Sequence, residues 1–231
     1  MKTLICIPTY NEKENISPIV AAIFAQNLGV DILVIDDNSP DGTGSIVQDM
    51  QKQYPRLHLL SRAGKEGLGR AYLAGFDWAL KNGYEAVVEM DADFSHRPED
   101  LGPLLKSLQS ADFAVGSRYV HGGGTVNWGF MRKLISRGGG IYSRLILGYP
   151  LQDWTGGFNA WKAATMKKMN LESVKSNGYS FQIELKYKAL RAGCKGVESP
   201  ILFEDRRVGH SKMSSRIVLE ALYRVWLLRF Q

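Results

Sequence analysis

Two carboxylates one residue apart, Asp91 and Asp93, close the apolar run Ala86-Val87-Val88-Glu89-Met90. Charges that close repel unless a cation sits between them, and hard oxygen ligands of this kind suit Mg²⁺ or Mn²⁺. Such an ion in turn suits a diphosphate. An Asp-x-Asp triplet alone is common in acidic turns and identifies nothing. Here it has company. Asp36-Asp37 ends the earlier run Ile32-Leu33-Val34-Ile35, and Pro8-Thr9-Tyr10-Asn11-Glu12 ends the first, Leu4-Ile5-Cys6-Ile7. Open α/β sheets bind ligands at the carboxyl ends of their strands. Three apolar runs that each end in polar groups therefore predict a site on one sheet edge.

Other residues could add to it. Asp153, before Trp154-Thr155-Gly156-Gly157, is a carboxylate on a glycine-supported turn, either an ordinary turn aspartate or a site group. Arg118, Arg132, Lys133, Arg137, Arg206, Arg207 and Lys212 are read as loop residues. Singly each is a solvated surface charge; together they fit a second anionic ligand, with Arg206 and Lys212 bracketing a turn at Gly209. Gln182 and Glu184 open a helix and serve equally as capping, surface or site residues. His58, His96, His121 and His210 show no metal spacing and receive no role. Gly64-Lys65-Glu66-Gly67-Leu68-Gly69 lacks the third glycine of a dinucleotide loop, because position 72 is Tyr72, and it follows the third strand rather than the first. As the start of a helix it still suits a neighbouring nucleotide. No P-loop is present.

The elements that position these groups alternate. Continuous apolar runs near 4–8, 31–36, 57–61, 85–91 and 112–117 read as parallel strands covered on both faces. Helical patterns near 13–27, 43–53, 68–82 and 99–109 separate them, with Asn11 a cap for the first and Pro98 in the first turn of the last. This predicts a doubly wound sheet. Beyond it lie helices near 160–170 and 181–192, a strand near 196–203 and a final helix from Ile217 to Phe230. Gly122-Gly123-Gly124 and Gly138-Gly139-Gly140 read as loops over the site.

A chain of 231 residues holds one large α/β domain. With 45% hydrophobic and 23% charged residues it is globular rather than disordered. The net charge of +6 fits phosphates or a lipid headgroup surface and is too diffuse for a nucleic-acid partner. Cys6 and Cys194 read as reduced core thiols, which points to an intracellular setting. Met1-Lys2 leads directly into the first strand, leaving no room for a signal peptide, and no apolar stretch reaches membrane-spanning length.

Several blocks resemble the dolichol-phosphate (polyprenol monophosphate) mannosyltransferases, inverting GT-A glycosyltransferases of family 2. They are Ile7-Pro8-Thr9-Tyr10-Asn11-Glu12, Ile35-Asp36-Asp37-Asn38-Ser39-Pro40-Asp41-Gly42-Thr43, Gly67-Leu68-Gly69-Arg70-Ala71-Tyr72 and Met90 through Pro98. Gly116-Ser117-Arg118-Tyr119, Ile135-Ser136-Arg137-Gly138 and the Asp205-Arg206 to Ser211-Lys212 loop follow in family order. The resemblance implies a GT-A, Rossmann-like single domain over 1–215 with a mostly parallel central sheet, and an apolar helix at 216–231. It implies transfer of mannose from GDP-mannose to a dolichyl or polyprenyl phosphate with inversion, using Mg²⁺ or Mn²⁺. By the same carry-over Pro8, Tyr10, Glu12, Ile35 and Asp37 form the nucleoside pocket. Asp91 and Asp93 hold the metal around Ala92, with Ser95 a third neighbour. Arg118, Arg132 and Ser136 receive the acceptor phosphate, and Arg206 and Lys212 clamp the donor. Asp93, Asp153 and Arg118 are taken as the catalytic set. The loop at Phe158-Asn159 lacks an arginine that some relatives place after the phenylalanine, which leaves the role of Asp153 open.

The chemistry agrees. A phosphate acceptor is already anionic, since the second pKa of a monoester is about 6, so it needs positioning and charge screening more than a base. A hydroxyl acceptor needs a base, and Asp153 is then the choice. A related GT-A transferase using UDP-glucose or a hydroxyl acceptor, and a non-catalytic nucleotide-sugar-binding subunit, are the competing readings. A polyprenyl phosphate cannot leave its bilayer, so the protein is expected on the cytoplasmic face, docked directly or through a small membrane-protein partner. In the final helix the inner stripe is expected to pack while Trp226 to Phe230 meet lipid or that partner. A chain ending at Arg224 is then expected to stay folded.

Overall fold

The computed structural model describes residues 1–176, 178–205 and 223–230. Seven strands form one sheet in the order β3-β2-β1-β4-β7-β5-β8. They are β1 (Thr3–Thr9), β2 (Asp31–Asp36), β3 (Leu57–Ser61), β4 (Ala86–Glu89), β5 (Phe113–Ser117), β7 (Asn159–Lys162) and β8 (Gly196–Pro200). All pairings are parallel except those of β7, which runs antiparallel between β4 and β5. Two short strands, β6 (Gly124–Val126) and β9 (Leu202–Glu204), pair in parallel beside the sheet.

The apolar runs are continuous because both faces are covered. Leu4, Cys6, Leu33, Ile35 and Val87 pack on one side with Tyr72 and Phe76 of α3 (Leu68–Lys81) and Phe181 and Leu185 of α7 (Gly178–Arg191). Ile5, Ile7, Ile32, Val34 and Val88 pack on the other side. Their partners there are Ile16 and Ile19 of α1 (Lys13–Ala25) and Leu101 and Leu104 of α4 (Leu101–Ser107). α2 (Thr43–Met50) follows β2 and contributes Val47. Cys6 and Cys194 are free buried thiols.

The strands and first four helices stand where the alternation puts them, with three local changes, one being that the strand expected near 196–203 divides into β8 of the large sheet and β9 of the small one. Asn11 takes a left-handed conformation (φ 61°) and Glu12 occupies the N-cap of α1. The stretch near 160–170 divides into β7 and the short helix α6 (Ala163–Lys168).

The larger correction concerns 130–147. Gly138-Gly139-Gly140 is not a loop but the middle of an 18-residue helix, α5 (Phe130–Leu147). A helix tolerates such costly residues where packing demands them, and a Cβ at Gly140 would stand 2.8 Å from the Gln152 carbonyl oxygen. Arg132, Lys133 and Arg137 therefore ride on a helix.

At the C-terminus residues 223–229 are helical. Val225 and Leu228 enter the core, while Tyr223, Trp226 and Phe230 are exposed and the Trp226 and Phe230 rings stack at 5.8 Å. Leu228, inside the 226–230 segment expected to face outward, is a core residue, so only Trp226 and Phe230 with the exposed Arg229 are left on the outer side there. A chain ending at Arg224 would lose both core side chains, so the cost to its stability is larger than that of an outer stripe alone.

Candidate active site

β2, β1 and β4 lie side by side and parallel, so the residues after Thr9, Asp36 and Glu89 emerge on one sheet edge. The chain order reverses between β1 and β4, which is where doubly wound sheets open a crevice. Tyr10 is exposed at this edge, with the Lys65 ammonium 4.2 Å from its ring centre. Glu12 accepts from Asn15 Nδ2 at 2.8 Å. Asp37 accepts from Arg62 Nη1 at 2.6 Å; burial outweighs that cation and pushes its carboxyl up. Asp36 is a scaffold, accepting from Thr9 Oγ1, Ser39 Oγ and Ser39 N and so tying two strand ends together. Pro8 is half-buried at the same edge. Ile35 is corrected: its side chain is fully buried in the core and offers no surface to a nucleoside.

The Asp91-Ala92-Asp93 turn is held from behind. The Asp91 N–H donates to His96 Nδ1 at 3.1 Å, and Tyr72 Oη donates to Asp91 Oδ1 at 3.3 Å. Burial lowers the His96 pKa, so the ring stays neutral and keeps its acceptor nitrogen. It stacks on Phe158 at 5.0 Å, which fixes its plane. Asp93 accepts from Ser95 N at 3.1 Å, and the Ser95 hydroxyl is buried without a partner among the described residues. Ala92 is buried between the two carboxylates. Among the described residues no three His, Cys, Asp or Glu side chains could enclose a metal by themselves. Two carboxylates beside an unsatisfied hydroxyl nevertheless fit a hard divalent cation, which takes one or two protein carboxylates and completes its shell from phosphates and water.

Arg118 and Asp153 meet each other rather than solvent. Arg118 Nε and N donate to Asp153 Oδ2 at 2.7 and 3.0 Å, and Nη2 donates to Oδ1 at 2.6 Å and to Thr155 Oγ1 at 2.9 Å. Gly156 N also donates to Oδ1, at 2.9 Å. The side chains are 5% and 0% exposed. Burial alone would raise the Asp153 pKa; Arg118 and Lys186 outweigh it and hold the carboxyl at about 2. A carboxylate so engaged is a poor base, which corrects the role reserved for Asp153. Arg118 is corrected likewise from an open loop arginine to a buried, paired one.

The other arginines gather here too. The Arg118 guanidinium lies 5.4 Å from the Trp128 ring centre and 5.5 Å from that of Phe203; Arg132 lies 4.1 Å from that of Trp128. Arg132 Nη1 donates to Asp205 Oδ1 at 2.7 Å, and Tyr119 Oη donates to Ser136 Oγ at 2.7 Å. Phe203 touches His96 at 5.4 Å and Trp128 at 5.3 Å, so one aromatic layer joins this cluster to the Asp91 turn. Arg118, Arg132 and Ser136 are thus brought into one cluster through Trp128 and Tyr119. Arg206 and Lys212, with Arg207, lie outside the described residues.

Behind the site is a buried polar core. Asn159 Nδ2 donates to Glu89 Oε2 and Gln182 Oε1, both at 2.8 Å. Lys186 Nζ donates to the carbonyls of Gly156 at 2.7 Å and Trp154 at 3.1 Å, holding the loop that carries Asp153. Burial raises the Glu89 pKa and lowers that of Lys186, while each charge partly steadies the other. Glu184 faces away from this core, accepting from Ser176 N at 3.0 Å. Gln182 and Glu184 are therefore internal supports. His96, Tyr72, Trp128 and Lys186 were not anticipated. His96 and Tyr72 lie within the blocks Met90–Pro98 and Gly67–Tyr72 that carry the resemblance, while nothing in the sequence set Trp128 or Lys186 apart.

On α5 the exposed side chains include Phe130 and Leu145, each 76% exposed, with Leu134 and Ile141. Spacings of four, seven and four residues put these four on one helix face. Lys133, Arg137 and Arg144 are exposed beside it. No helix among the described residues is long and apolar enough to cross a membrane.

The model of glycosyl transferase family 2 matches residues 4–173. The chain belongs to this family. Polyprenol monophosphomannose synthase of Mycolicibacterium smegmatis is 46% identical over 99% of this chain and 88% of that protein. Undecaprenyl-phosphate mannosyltransferase of Micrococcus luteus is 45% identical over 97% of this chain and 93% of that protein. A mannosyltransferase from Pyrobaculum calidifontis, solved with GDP-mannose and Mn²⁺, superposes with a TM-score of 0.62. It covers 98% of this chain and 69% of its own at 16% identity, a likeness of fold. The chain is a family 2 glycosyltransferase with a GT-A fold.

Proposed function

We propose that this glycosyltransferase moves mannose from GDP-mannose to the phosphate of a polyprenyl phosphate with inversion at C1. The observation that carries the reading is the Arg118–Asp153 pair. The carboxylate best placed to be a base is spent on an arginine and held at about 2. An acceptor that arrives as a phosphate anion needs no base, and the names of the two relatives 45–46% identical to this chain describe such acceptors.

The acceptor oxygen attacks C1 as the bond to the β-phosphate oxygen breaks, and GDP leaves with the electron pair. Tyr10, Glu12 and Asp37 form the nucleoside end of the cleft, and Pro8 shapes it. Asp91 and Asp93 would hold Mg²⁺ or Mn²⁺, which when bound neutralises charge growing on the leaving diphosphate. His96 and Tyr72 fix the backbone and one oxygen of Asp91 so that it does not turn inward. Arg132, Ser136 and the Arg118 loop receive the acceptor phosphate, and Arg206 and Lys212 complete the donor clamp. We place the protein peripherally on the cytoplasmic face of a membrane. The exposed face of α5 and the Trp226–Phe230 ring pair meet lipid there, in the manner of interfacial helices.

Labelled transfer from GDP-mannose, run side by side on a short-chain polyprenyl phosphate and the matching polyprenol, tests this. Label must enter only the phosphate. Transfer to the polyprenol, or from UDP-glucose alone, would overturn the reading.

A further inference from the structure

Two N–H donors in the arginine cluster have no acceptor. Trp128 Nε1 and Arg132 Nε are both buried and unpartnered among the described residues. Buried donors in native proteins are nearly always satisfied, so two of them in neighbouring side chains point to a missing acceptor. They are close neighbours: the Arg132 guanidinium carbon lies 4.1 Å from the centre of the Trp128 ring. Asp205 takes Arg132 at Nη1, 2.7 Å away, and leaves Nε unused, although a guanidinium can present two donors to one anion. The tryptophan ring also neighbours the second arginine, with Arg118 at 5.4 Å from its centre. Through Phe203 it is one ring removed from His96 and the Asp91 turn.

We propose that Trp128 is a binding residue for the acceptor phosphate. Its indole Nε1–H and the Arg132 Nε–H donate to two oxygens of the acceptor's phosphate, while the indole face holds the Arg132 guanidinium flat against it. This deepens the proposed function and rests on it. Asp205 carries one negative charge and the acceptor phosphate nearly two, so the phosphate displaces Asp205 from Arg132. The donor diphosphate is assigned to Asp91 and Asp93, which leaves the cluster to the acceptor.

Trp128→Phe keeps an aromatic ring and removes only the N–H. With short-chain polyprenyl phosphate, GDP-mannose and Mn²⁺, this variant should raise the acceptor KM about tenfold or more, as expected for a lost hydrogen bond to a charged group. The KM for GDP-mannose and the thermal midpoint should stay at parent values. An unchanged acceptor KM, or a rise confined to the GDP-mannose KM, overturns the proposal. A second measurement uses the parent protein and its five tryptophans. On saturation with the acceptor one indole N–H resonance must move downfield, the one absent from Trp128→Phe. Absence of any such shift overturns the proposal even if the variant does not fold. A parent that transfers no mannose to any polyprenyl phosphate defeats the functional reading instead, so the two failures are distinct.

Discussion

Arg118 and Asp153 form a buried, two-point ion pair, with Nε to Oδ2 at 2.7 Å and Nη2 to Oδ1 at 2.6 Å, 35 residues apart in sequence. The pair joins the end of β5 to the loop before β7. It brings two oppositely charged groups of the site together and removes both from solvent. Breaking a buried pair from one side strands the other charge and costs about 3–5 kcal/mol. Asp153→Asn should lose stability on that scale in urea unfolding at pH 7. The Asp153 carboxyl sits at about 2, below its usual 3.8, so its contribution is full above pH 4 and fades as pH falls toward 2. The gap between parent and variant should narrow across that window; a constant gap contradicts the assignment.

Asp91→Asn and Asp93→Asn should each abolish metal-dependent turnover while leaving the fold intact, because each removes one ligand charge at the strand end. Transfer is measured with Mn²⁺ and with EDTA, and circular dichroism checks the fold. Near-parent turnover of both variants would remove the metal role.

Lys186→Met strands Glu89, whose pKa is raised first by burial and is lowered by Lys186. Without that cation Glu89 must stay protonated in the folded state, which is easy at pH 5 and increasingly unfavourable above it. Burial already holds the parent's Glu89 at about 8, so destabilisation relative to the parent should grow as pH rises through 8, where the parent carboxyl ionises and the variant's does not. Adding Glu89→Gln should recover part of it, since removing both charges costs less than removing one. Denaturant midpoints on both sides of that pH decide.

The strands of the first half were legible because Leu4–Ile7, Ile32–Ile35 and Ala86–Val88 are buried on both faces, and the polar residues that end each run share one edge for the same topological reason. β7 was not. Its four residues are made a strand by pairing with β4 and β5, a contact that no local pattern announces. The helix α5 was hidden by three glycines, one of which is required by the Gln152 carbonyl against it. Asp91 and Asp93 could be read as ligands from type and spacing. The pairing of Arg118 with Asp153 could not, because a charge on a loop and a charge in an ion pair look alike in sequence.

Phe130→Glu with Leu145→Glu alters two side chains that are each 76% exposed, so unfolding should be unchanged. Sedimentation with anionic liposomes should fall severalfold if α5 meets lipid. Equal sedimentation of parent and variant would exclude this face.

The central claim is that the acceptor brings its own charge and the protein supplies no base. The most direct measurement is the pH dependence of kcat/KM with polyprenyl phosphate and with a polyprenyl phosphonate of higher second pKa. The rate should rise through an inflection near pH ~6 for the phosphate, and that inflection should move upward with the pKa of the phosphonate. An inflection that stays at one pH for both acceptors would reveal a protein base and contradict the account.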